Sequence, residues 1–466
     1  MTEQQDDLQT KKRAALIVAT VSSFLGPFMG ASVNVALPSM AAEFSMPAVL
    51  MGWVNTAYLL AAASFLIPFG RLGDIYGRKR IYIYGVILFI IASVLIAGAS
   101  SSAMVILFRG LQGFGASMIF ATGMAILISV YPVGERGKAL GITVAAVYLG
   151  LSTGPFVGGI ITQHLGWHCI FWLNVPLGLV LLSVVAFMLK GEWAEAKGLK
   201  FDLAGSIILA ITLVMTMYGF STMPSLTAII LIVFGVAGLV GFVLYENRID
   251  NPVVNIGLFR HNTVFAFSNL AALINYAATF AVSFLLSLYL QNIKALSPQE
   301  AGLILVSQPA VQALISPLAG RLSDRIEPRN IASTGMAMTF IGLILLTFVG
   351  AATSIIYIIV CLVFLGIGFA LFSSPNTNAI MSSIERKYYG LGAAMVSCMR
   401  QVGMMFSMGI VMMIMALLLG GAEIEPSNHG QFIKSTRIAF TVFGVMCLGG
   451  IFASLARGRV HNNQKL

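Results

Sequence analysis

The sequence predicts an all-α polytopic membrane protein, and three observations lead to this fold class. Of the 466 residues, 58% are hydrophobic and 9% are charged, whereas a soluble protein carries roughly 25% charged residues. The apolar residues fall in runs of about 20, which is the length that an α-helix needs to cross a hydrocarbon core. Lipid offers the backbone no hydrogen-bond partner, so each run is expected to form a helix that pairs its own backbone groups.

Fourteen apolar runs are long enough to span the membrane. The two shortest are joined by STMPSL and are expected to form one hairpin. The predicted spans lie near 14–36, 47–69, 81–100, 103–127, 138–161, 169–189, 203–220, 224–245, 263–290, 300–319, 330–350, 352–374, 388–418 and 437–456.

The positions of Lys and Arg predict the orientation, because cytoplasmic loops are enriched in these residues. With the N-terminus inside, the cytoplasmic loops contain most of the 27 Lys and Arg residues, and the outer loops keep Lys294, Lys434 and Arg437. Both chain ends are therefore expected in the cytoplasm, and the polar start MTEQQDDLQTKKR has no signal-peptide pattern. The net charge of +10 then faces anionic lipid headgroups of the cell membrane, and no nucleic-acid partner is expected.

The chain contains an internal repeat. GRLGDIYGRKR at 70–80 is echoed 250 residues later by GRLSDRIEPR at 320–329, and the pair Glu135-Arg136 is echoed by Glu385-Arg386 at the same offset. Repeated blocks of this kind are typical of secondary transporters, whose substrate site lies between the blocks. The predicted organisation is a tail at 1–13, a six-helix bundle at 14–190, an inserted hairpin at 201–246, a second six-helix bundle at 263–456 and a tail at 457–466.

The two charged phrases are predicted to form tight turns at the cytoplasmic ends of helices and to gate the contact between the bundles. Glycine allows close backbone approach, and Asp74 can accept hydrogen bonds from a helix N-terminus or pair with an Arg. A positive loop without a gating role is the alternative. The gating residues expected here are Gly70, Arg71, Gly73, Asp74, Gly77, Arg78, Arg321 and Asp324.

Three motifs in order carry a resemblance to a known family. Besides GRLGDIYGRKR, they are FRGLQGFGAS at 108–117 and GLSTGPFVGG at 150–159, which matches G-x-x-x-G-P-x-x-G-G at every fixed position. Over nearly its whole length the chain resembles the Major Facilitator Superfamily, and specifically its fourteen-helix drug:proton antiporter family. The resemblance implies the Major Facilitator fold, with two six-helix bundles and two accessory helices. It also implies export of amphipathic or cationic compounds against inward proton flow, without a cofactor; the protein is expected to be a monomer in membrane lipid.

The third motif places small residues four apart on either side of a proline, which favours close helix packing with a kink. The resemblance implies that these residues close the contact between the bundles on one side of the membrane, and ordinary helix packing is the alternative. They are Gly150, Gly154, Pro155, Gly158 and Gly159.

Two cations lie inside predicted spans. An unpaired Arg at membrane depth costs roughly 3 kcal/mol or more, so Arg109 and Arg400 are expected to face a central cavity or a partner. Polar side chains in other spans are further cavity candidates, and each of them could instead make an interhelical hydrogen bond. These candidates are Asn34, Tyr58, Gln112, Asn269, Asn275, Tyr276, Gln308, Gln312 and Asn376.

The chain departs from the family pattern in its acids. The family commonly carries an acid in the first helix, where this chain has Met29, and none of the seventeen Asp and Glu residues is at the middle of a predicted span. A lipophilic cation would find no counter-ion beside two Arg residues, so a neutral or anionic substrate is favoured, and proton coupling has no obvious carrier.

The leading hypothesis is therefore an exporter of hydrophobic or amphipathic small molecules that works by alternating access, with proton linkage expected from the resemblance. A carrier or flippase for an anionic or neutral amphipath is the first alternative, and a membrane sensor that has lost transport is the second. No enzyme is expected, because the sequence has no nucleophile–base set and no phosphate loop. No metal site is expected either, since His164 and His168 have no third ligand nearby.

Overall fold

The computed structural model describes residues 2–132, 135–189, 191–198, 200–249, 252–254, 256–323, 325–384, 389–420 and 422–458. Within these ranges fourteen helices are long and apolar enough to cross a membrane, which confirms the predicted fold class. The helices are α1 (Thr2–Phe44), α2 (Ala48–Tyr76), α3 (Arg78–Ala97), α4 (Ser102–Val130), α5 (Arg136–Leu165), α6 (His168–Phe187), α7 (Leu203–Ser221), α8 (Leu226–Glu246), α9 (Thr263–Ile293), α10 (Pro298–Ser323), α11 (Pro328–Leu346), α12 (Ile355–Ser382), α13 (Tyr389–Leu419) and α14 (His429–Ala456).

Side-chain caps define where several helices begin. Ser101, Ser225, Asn262 and Ser354 each accept a hydrogen bond from a backbone N–H in the first turn of the helix that follows. Ser297 and Glu300 form a capping box at the start of α10, where Pro298 occupies the first helical position. Because such caps satisfy the free N–H groups of a helix, the short polar connections are sufficient to end one span and start the next.

The first helix is longer than the sequence predicts. It begins at Thr2 and continues to Phe44, through Pro27 and Pro38, whereas the span was expected only near 14–36. Residues 2–13 are thus helical and continue the first span, although the sequence predicts a tail at 1–13. Prolines are tolerated in membrane helices when neighbouring helices satisfy the backbone groups that they free.

The helices form two groups with the same internal packing. In α1–α6, helix α1 packs on α5, α2 on α4, and α3 on both α4 and α6. In α9–α14, the equivalent pairs recur: α9 on α13, α10 on α12, and α11 on both α12 and α14. The repeat seen in the charged phrases therefore extends to the helix packing.

One glycine crossing shows the repeat in detail. A Cβ at Gly85 of α3 would lie 2.9 Å from the carbonyl oxygen of Gly115 in α4. The position 250 residues later is Gly335 of α11, where a Cβ would lie 2.7 Å from the carbonyl oxygen of Gly368 in α12. Both groups therefore use glycines to bring the third and fourth helices of the group into backbone contact.

Two helix pairs make the most extensive contacts between the groups, and these pairs are also related by the repeat. Helix α2 packs on α13, and α5 packs on α10, so that the second helix of each group meets the fifth helix of the other. The hairpin α7–α8 packs on α2 and α13 at one of these contacts. We call the face at which α1 begins and α14 ends the terminal face, and the opposite face the distal face.

Candidate substrate pathway

Arg109 is buried in the first helix group and has partners for its charge. It lies in α4 with 1% of its surface exposed. Its Nε donates to the Val54 carbonyl oxygen at 3.0 Å, and its Nη1 donates to Gln112 Oε1 at 2.6 Å. Gln112 Nε2 in turn donates to Ser93 Oγ at 2.8 Å, so the polar chain runs from α2 through α4 to α3. Arg109 and Gln112 are thus placed inside the first group, where their hydrogen bonds offset the cost of burial.

Tyr58 connects this network to the second helix group. Its ring lies under the Arg109 guanidinium, with 4.4 Å between Cζ and the ring centroid. Tyr58 also interacts electrostatically with Arg400 of α13, which is half-buried. The Tyr58 hydroxyl is buried and makes no hydrogen bond among the described residues. The Arg109 guanidinium therefore contacts the Tyr58 ring, and the charge of Arg400 acts on the same phenol from the other helix group.

A second polar cluster lies where α5 meets α10. The Tyr148 hydroxyl lies close enough to interact with the side chains of Ser316, Ser373 and Gln312 in the second group. Gln312 Nε2 and Ser316 Oγ are nevertheless buried without a hydrogen bond of good geometry among the described residues. A buried amide or hydroxyl without a partner is costly, which makes this cluster suited to a polar ligand.

Helix α9 adds two more buried amides. Asn275 is fully buried, and neither atom of its amide group has a partner among the described residues. Asn269 donates to the Phe265 carbonyl oxygen at 2.9 Å, but its Oδ1 is unpartnered. Tyr276 packs its ring on Phe369 with 5.4 Å between centroids and is half-buried. These residues form the α9 side of the candidate pathway.

Two of the predicted cavity residues are placed elsewhere. Asn34 accepts from Asn55 Nδ2 at 2.7 Å, and its backbone carbonyl accepts from Ser287 Oγ at 2.7 Å, which joins α1 to α9. Asn376 accepts at 2.8 Å from Arg457 Nη1, and Arg457 is fully buried. Asn34 therefore belongs to a contact between the groups near the distal face, and Asn376 belongs to a cluster at the terminal end of the second group. Gln308 is half-buried on α10, where its backbone carbonyl lies against Gly366.

The glycines of the 150–159 motif face two different helices. Gly150, Gly154 and Gly158 contact α1, and the Gly154 carbonyl accepts from Ser32 Oγ at 2.9 Å. Gly159 faces α10 of the other group, where a Cβ would lie 2.6 Å from the Pro298 carbonyl oxygen. On the same side, a Cβ at Gly302 of α10 would collide with the Pro155 carbonyl. The motif thus places three glycines within the first group, and Pro155 and Gly159 at the contact between groups.

The charged phrase at 70–80 is held by the connection that follows α6. Arg78 forms ion pairs with Asp74 at 2.7 Å and Glu195 at 2.9 Å. Gly77 has φ +116°, and a Cβ there would also collide with the Glu192 carboxylate. Gly70 and Gly73 face α4 at Ala121 and Thr122. These contacts of the phrase lie within the first group and its connection; Arg71 Nε is buried without a partner among the described residues.

The second phrase is partly outside the described residues. Asp324 lies outside them, and the predicted gating contact of this residue is therefore not described. Arg321 is exposed in the last turn of α10. At the start of this phrase, a Cβ at Gly320 would lie 2.9 Å from Ser374 Oγ in α12, much as Gly70 faces α4 in the first group.

The family assignment follows from comparison with known proteins. A family model described as Major Facilitator Superfamily matches residues 19–245 and 269–465, which together are most of the chain. The chain belongs to the Major Facilitator Superfamily. It is therefore a membrane transporter and not an enzyme, and the predicted family is confirmed.

Curated Major Facilitator relatives include proteins named for several kinds of cargo. The riboflavin transporter RibZ of Clostridioides difficile (strain 630) is 29% identical over 448 residues, spanning 96% of this chain and 97% of RibZ. The multidrug resistance protein Stp of Mycobacterium tuberculosis (strain CDC 1551 / Oshkosh) is 30% identical over 420 residues, spanning 88% of this chain and 78% of Stp. The tetracenomycin C resistance and export protein of Streptomyces glaucescens is 26% identical over 404 residues, spanning 86% of this chain and 74% of that protein.

Solved structures of the superfamily confirm the fold. A crystal structure of the peptide transporter POT in complex with alafosfalin superposes with a TM-score of 0.70 at 14% identity, covering 95% of this chain and 97% of POT. A crystal structure of a D-xylose-proton symporter superposes with a TM-score of 0.64 at 13% identity, covering 93% of this chain and 97% of the symporter.

Sequence reasoning missed several buried polar residues of this Major Facilitator protein. Tyr148 and Ser316 lie in apolar runs, where a lone hydroxyl gives no signal of its partner. Arg457 follows the last predicted span and was expected in a cytoplasmic tail, yet it is fully buried beneath α14. A useful signal was available for Tyr148, because it lies two residues before Gly150 and so on a helix that the motif already marks as closely packed.

Proposed function

We propose that this chain is a secondary transporter of the plasma membrane that exports hydrophobic or amphipathic small molecules by alternating access and in exchange for protons. The names of the multidrug and tetracenomycin C relatives support export of such compounds. The enrichment of Lys and Arg in the connections on the terminal face supports a cytoplasmic position for that face and for both chain ends.

The observation that carries the proposal is the position of the contacts between the two helix groups. Near the distal face, Ser287 Oγ donates to the Asn34 carbonyl at 2.7 Å, and Gln291 Nε2 donates to the Val35 carbonyl at 2.9 Å. Also near this face, the Gln299 backbone N–H donates to Gln163 Oε1 at 3.3 Å. These hydrogen bonds close the distal side of the interface between the groups.

On the terminal side, Arg78 and Lys79 of the charged phrase at 70–80 bind partners within the first helix group and the connection that follows it. Arg78 is paired with Asp74 and Glu195, and Lys79 Nζ donates to the Leu189 carbonyl at 2.6 Å. A rocking transporter alternates between contacts on one side of the substrate and contacts on the other. We interpret the arrangement as the state closed toward the outside, in which substrate enters from the cytoplasm.

The embedded charges favour a second candidate, a carrier for a neutral or anionic amphipath with weak or no proton coupling. Arg109 and Arg400 both act on Tyr58, whose hydroxyl lacks a partner. An anionic group or a hydrogen-bonding heteroaromatic ring would satisfy these groups better than a cation would. The name of RibZ, a riboflavin transporter, is in keeping with this class of substrate.

A transport assay distinguishes the candidates. The purified protein is reconstituted in vesicles, a pH gradient is imposed, and uptake of a cationic dye is compared with uptake of an anionic amphipath. Proton-linked export predicts transport of at least one compound that collapses when the gradient is dissipated. Gradient-independent transport of the anion alone would support the second candidate. Transport of neither compound, nor of riboflavin, by folded protein would contradict both.

A further inference from the structure

Two carboxyl groups meet at the base of the inserted hairpin, away from the pathway described above. Asp202 caps the start of α7, and Glu246 is the last residue of α8, so each end of the hairpin supplies one acid. Glu246 is 2% exposed, and Asp202 is half-buried. A Cβ at Gly205 would collide with both Asp202 Oδ2 and Glu246 Oε1, so the two carboxyl groups lie beside each other at this glycine. The two oxygens therefore face each other across the open flank of this glycine.

The hydrogen bonds of Asp202 and Glu246 leave one position for a proton, between Asp202 Oδ2 and Glu246 Oε1. Asp202 Oδ1 accepts from the Gly205 N–H at 2.9 Å and from the Tyr245 hydroxyl at 3.2 Å. Glu246 Oε2 accepts from the Val254 N–H at 2.8 Å. The remaining oxygens, Asp202 Oδ2 and Glu246 Oε1, are buried and receive no protein donor among the described residues. Because ionised carboxylates only accept hydrogen bonds, a bond between these two oxygens requires a proton on one of them.

The surroundings of the pair disfavour two negative charges. The cations nearest to the pair along the chain, Lys200 and Arg248, are exposed, and among the described residues no salt bridge is formed by Asp202 or Glu246. An apolar cluster lies beside the pair and includes residues of α2, α8, α9, α13 and the connection after α8. Among its described residues, the titratable group is the Cys398 thiol. This cluster includes Leu66, Phe242, Val254, Phe265, Met395 and Cys398.

We propose that Asp202 and Glu246 form a binding site for one proton, which the pair holds at neutral pH. Two adjacent carboxyl groups with a shared hydrogen bond bind the first proton tightly, because the doubly ionised pair would place like charges in contact. The site provides the titratable carboxyl group that this chain lacks at the middle of its spans. Binding converts the two carboxylates to one carboxylate and one carboxylic acid, and release returns the proton to the terminal face.

The proton site is connected to the contact between the helix groups. Glu246 accepts a hydrogen bond from the Val254 backbone N–H. Val254 belongs to the apolar cluster that also contains Leu66 of α2 and Met395 of α13. The contact between α2 and α13 is one of the two most extensive contacts between the groups. Loss of the proton would thus cause the two carboxylates at the ends of the hairpin to repel each other, next to the contact of the hairpin with α2 and α13.

Infrared spectroscopy of the full-length protein in lipid nanodiscs tests the site. The carbonyl stretch of a protonated carboxyl group is recorded as the pH is raised from 6 to 9, in wild type and in Glu246→Gln. Wild type is expected to show a carboxylic-acid band that disappears on titration. In Glu246→Gln the amide can donate to Asp202 Oδ2 in place of the proton, so the band is expected to be lost. The matched control is Glu423→Gln, an exposed acid on the distal side, which is expected to keep the band.

The unfolding temperature gives an independent readout. The folded pair binds a proton that the unfolded chain, with ordinary acids, does not bind near pH 7, so stability is expected to fall as pH rises. In Glu246→Gln this fall is expected to be smaller. If this variant does not fold, Asp202→Asn serves in its place with the same expected results. Neither measurement involves transport, so failure here leaves the proposed export function untouched.

Three results would overturn the proton site. They are the absence of a titrating band in wild type, an unchanged band in the folded variants, and stabilisation by sodium without any carboxylic-acid band. The last result would identify the pair as a metal-cation site instead.

Discussion

The Arg109 guanidinium lies over the Tyr58 ring, with 4.4 Å between Cζ and the ring centroid, and this pair joins a buried network of the first helix group to the contact with the second. A cation on an aromatic face is stabilised by the ring quadrupole, more strongly when both are desolvated. The same guanidinium donates to the Val54 carbonyl and to Gln112. Arg109 therefore has a structural role in the first group, and the charge of Arg400 also acts on its ring partner Tyr58.

Replacement of Arg109 by Leu is expected to reduce both stability and transport. It leaves Gln112 Oε1 without its donor and removes the bond from Arg109 to the Val54 carbonyl, and an unsatisfied buried group costs about 1–3 kcal/mol. The measurement is thermal unfolding in detergent together with vesicle uptake. Arg13→Leu is the control, because Arg13 is exposed. An unfolding temperature of Arg109→Leu equal to that of wild type would contradict the structural role.

Replacement of Arg400 by Leu is expected to reduce transport and to leave the unfolding temperature nearly unchanged. Arg400 is half-buried and acts on Tyr58 through its charge, so its loss removes an electrostatic contact in the pathway. Arg400→Lys keeps the charge and is expected to recover part of the uptake. Full uptake by folded Arg400→Leu would show that this cation has no part in transport.

A methyl group at Gly302 is expected to open the distal side. A Cβ there would collide with the Pro155 carbonyl of the other helix group, and backbone atoms cannot turn aside as a side chain can. The measurement is the rate at which a membrane-impermeant maleimide modifies Gln299→Cys, which is expected to rise in the Gly302→Ala background. Gly430→Ala is the control, since a Cβ at Gly430 would meet nothing within 4 Å. Equal rates in the two backgrounds would mean that this glycine does not close the distal face.

The stabilising effect of Arg457 is expected to be independent of pH between 6 and 9. Burial lowers the pKa of Arg457 to about 10, so the guanidinium remains protonated throughout this range in both folded and unfolded chains. Arg457→Met removes the hydrogen bonds to Asn376 and to the Pro328 carbonyl and is expected to destabilise by about 1.5–3 kcal/mol at either pH. Unfolding temperatures at pH 6 and 9 provide the check. If Arg457→Met destabilised the protein markedly less at pH 9 than at pH 6, Arg457 would lose its proton at a lower pH than its pKa of about 10 implies.

Hydropathy and local signals were sufficient to predict the helices. Length and apolar composition gave the fourteen spans, because backbone pairing in lipid leaves the helix as the only solution for such runs. The glycines of the 150–159 motif also predicted close helix packing. Gly154 and Gly159 allow close backbone approach whichever helix lies beside them.

The partner of each polar side chain could not be predicted from the sequence. Asn34 could equally have faced a cavity, but it pairs with Asn55 and joins α9 through its carbonyl. Asp74 pairs with an Arg, which was one of its two expected contacts, but nothing in the sequence indicated that Glu195 of the connection after α6 would share Arg78 with it. Arg457 followed the last apolar run and carried no sign of its burial. These choices depend on which helices pack together, as when Asn34 meets Ser287 and Arg457 meets Pro328, and no local pattern encodes that packing.

The most direct test of the account is to lock the distal face and measure transport. Gln163→Cys and Gln299→Cys place thiols on α5 and α10, at positions whose side chain and backbone are hydrogen-bonded across the two helix groups. A bifunctional maleimide is used to link them in vesicles, and each single variant treated in the same way serves as the control. Alternating access predicts that the cross-linked protein loses uptake while both single variants keep it. Full uptake by cross-linked protein would contradict the rocking of the two groups on which the account rests.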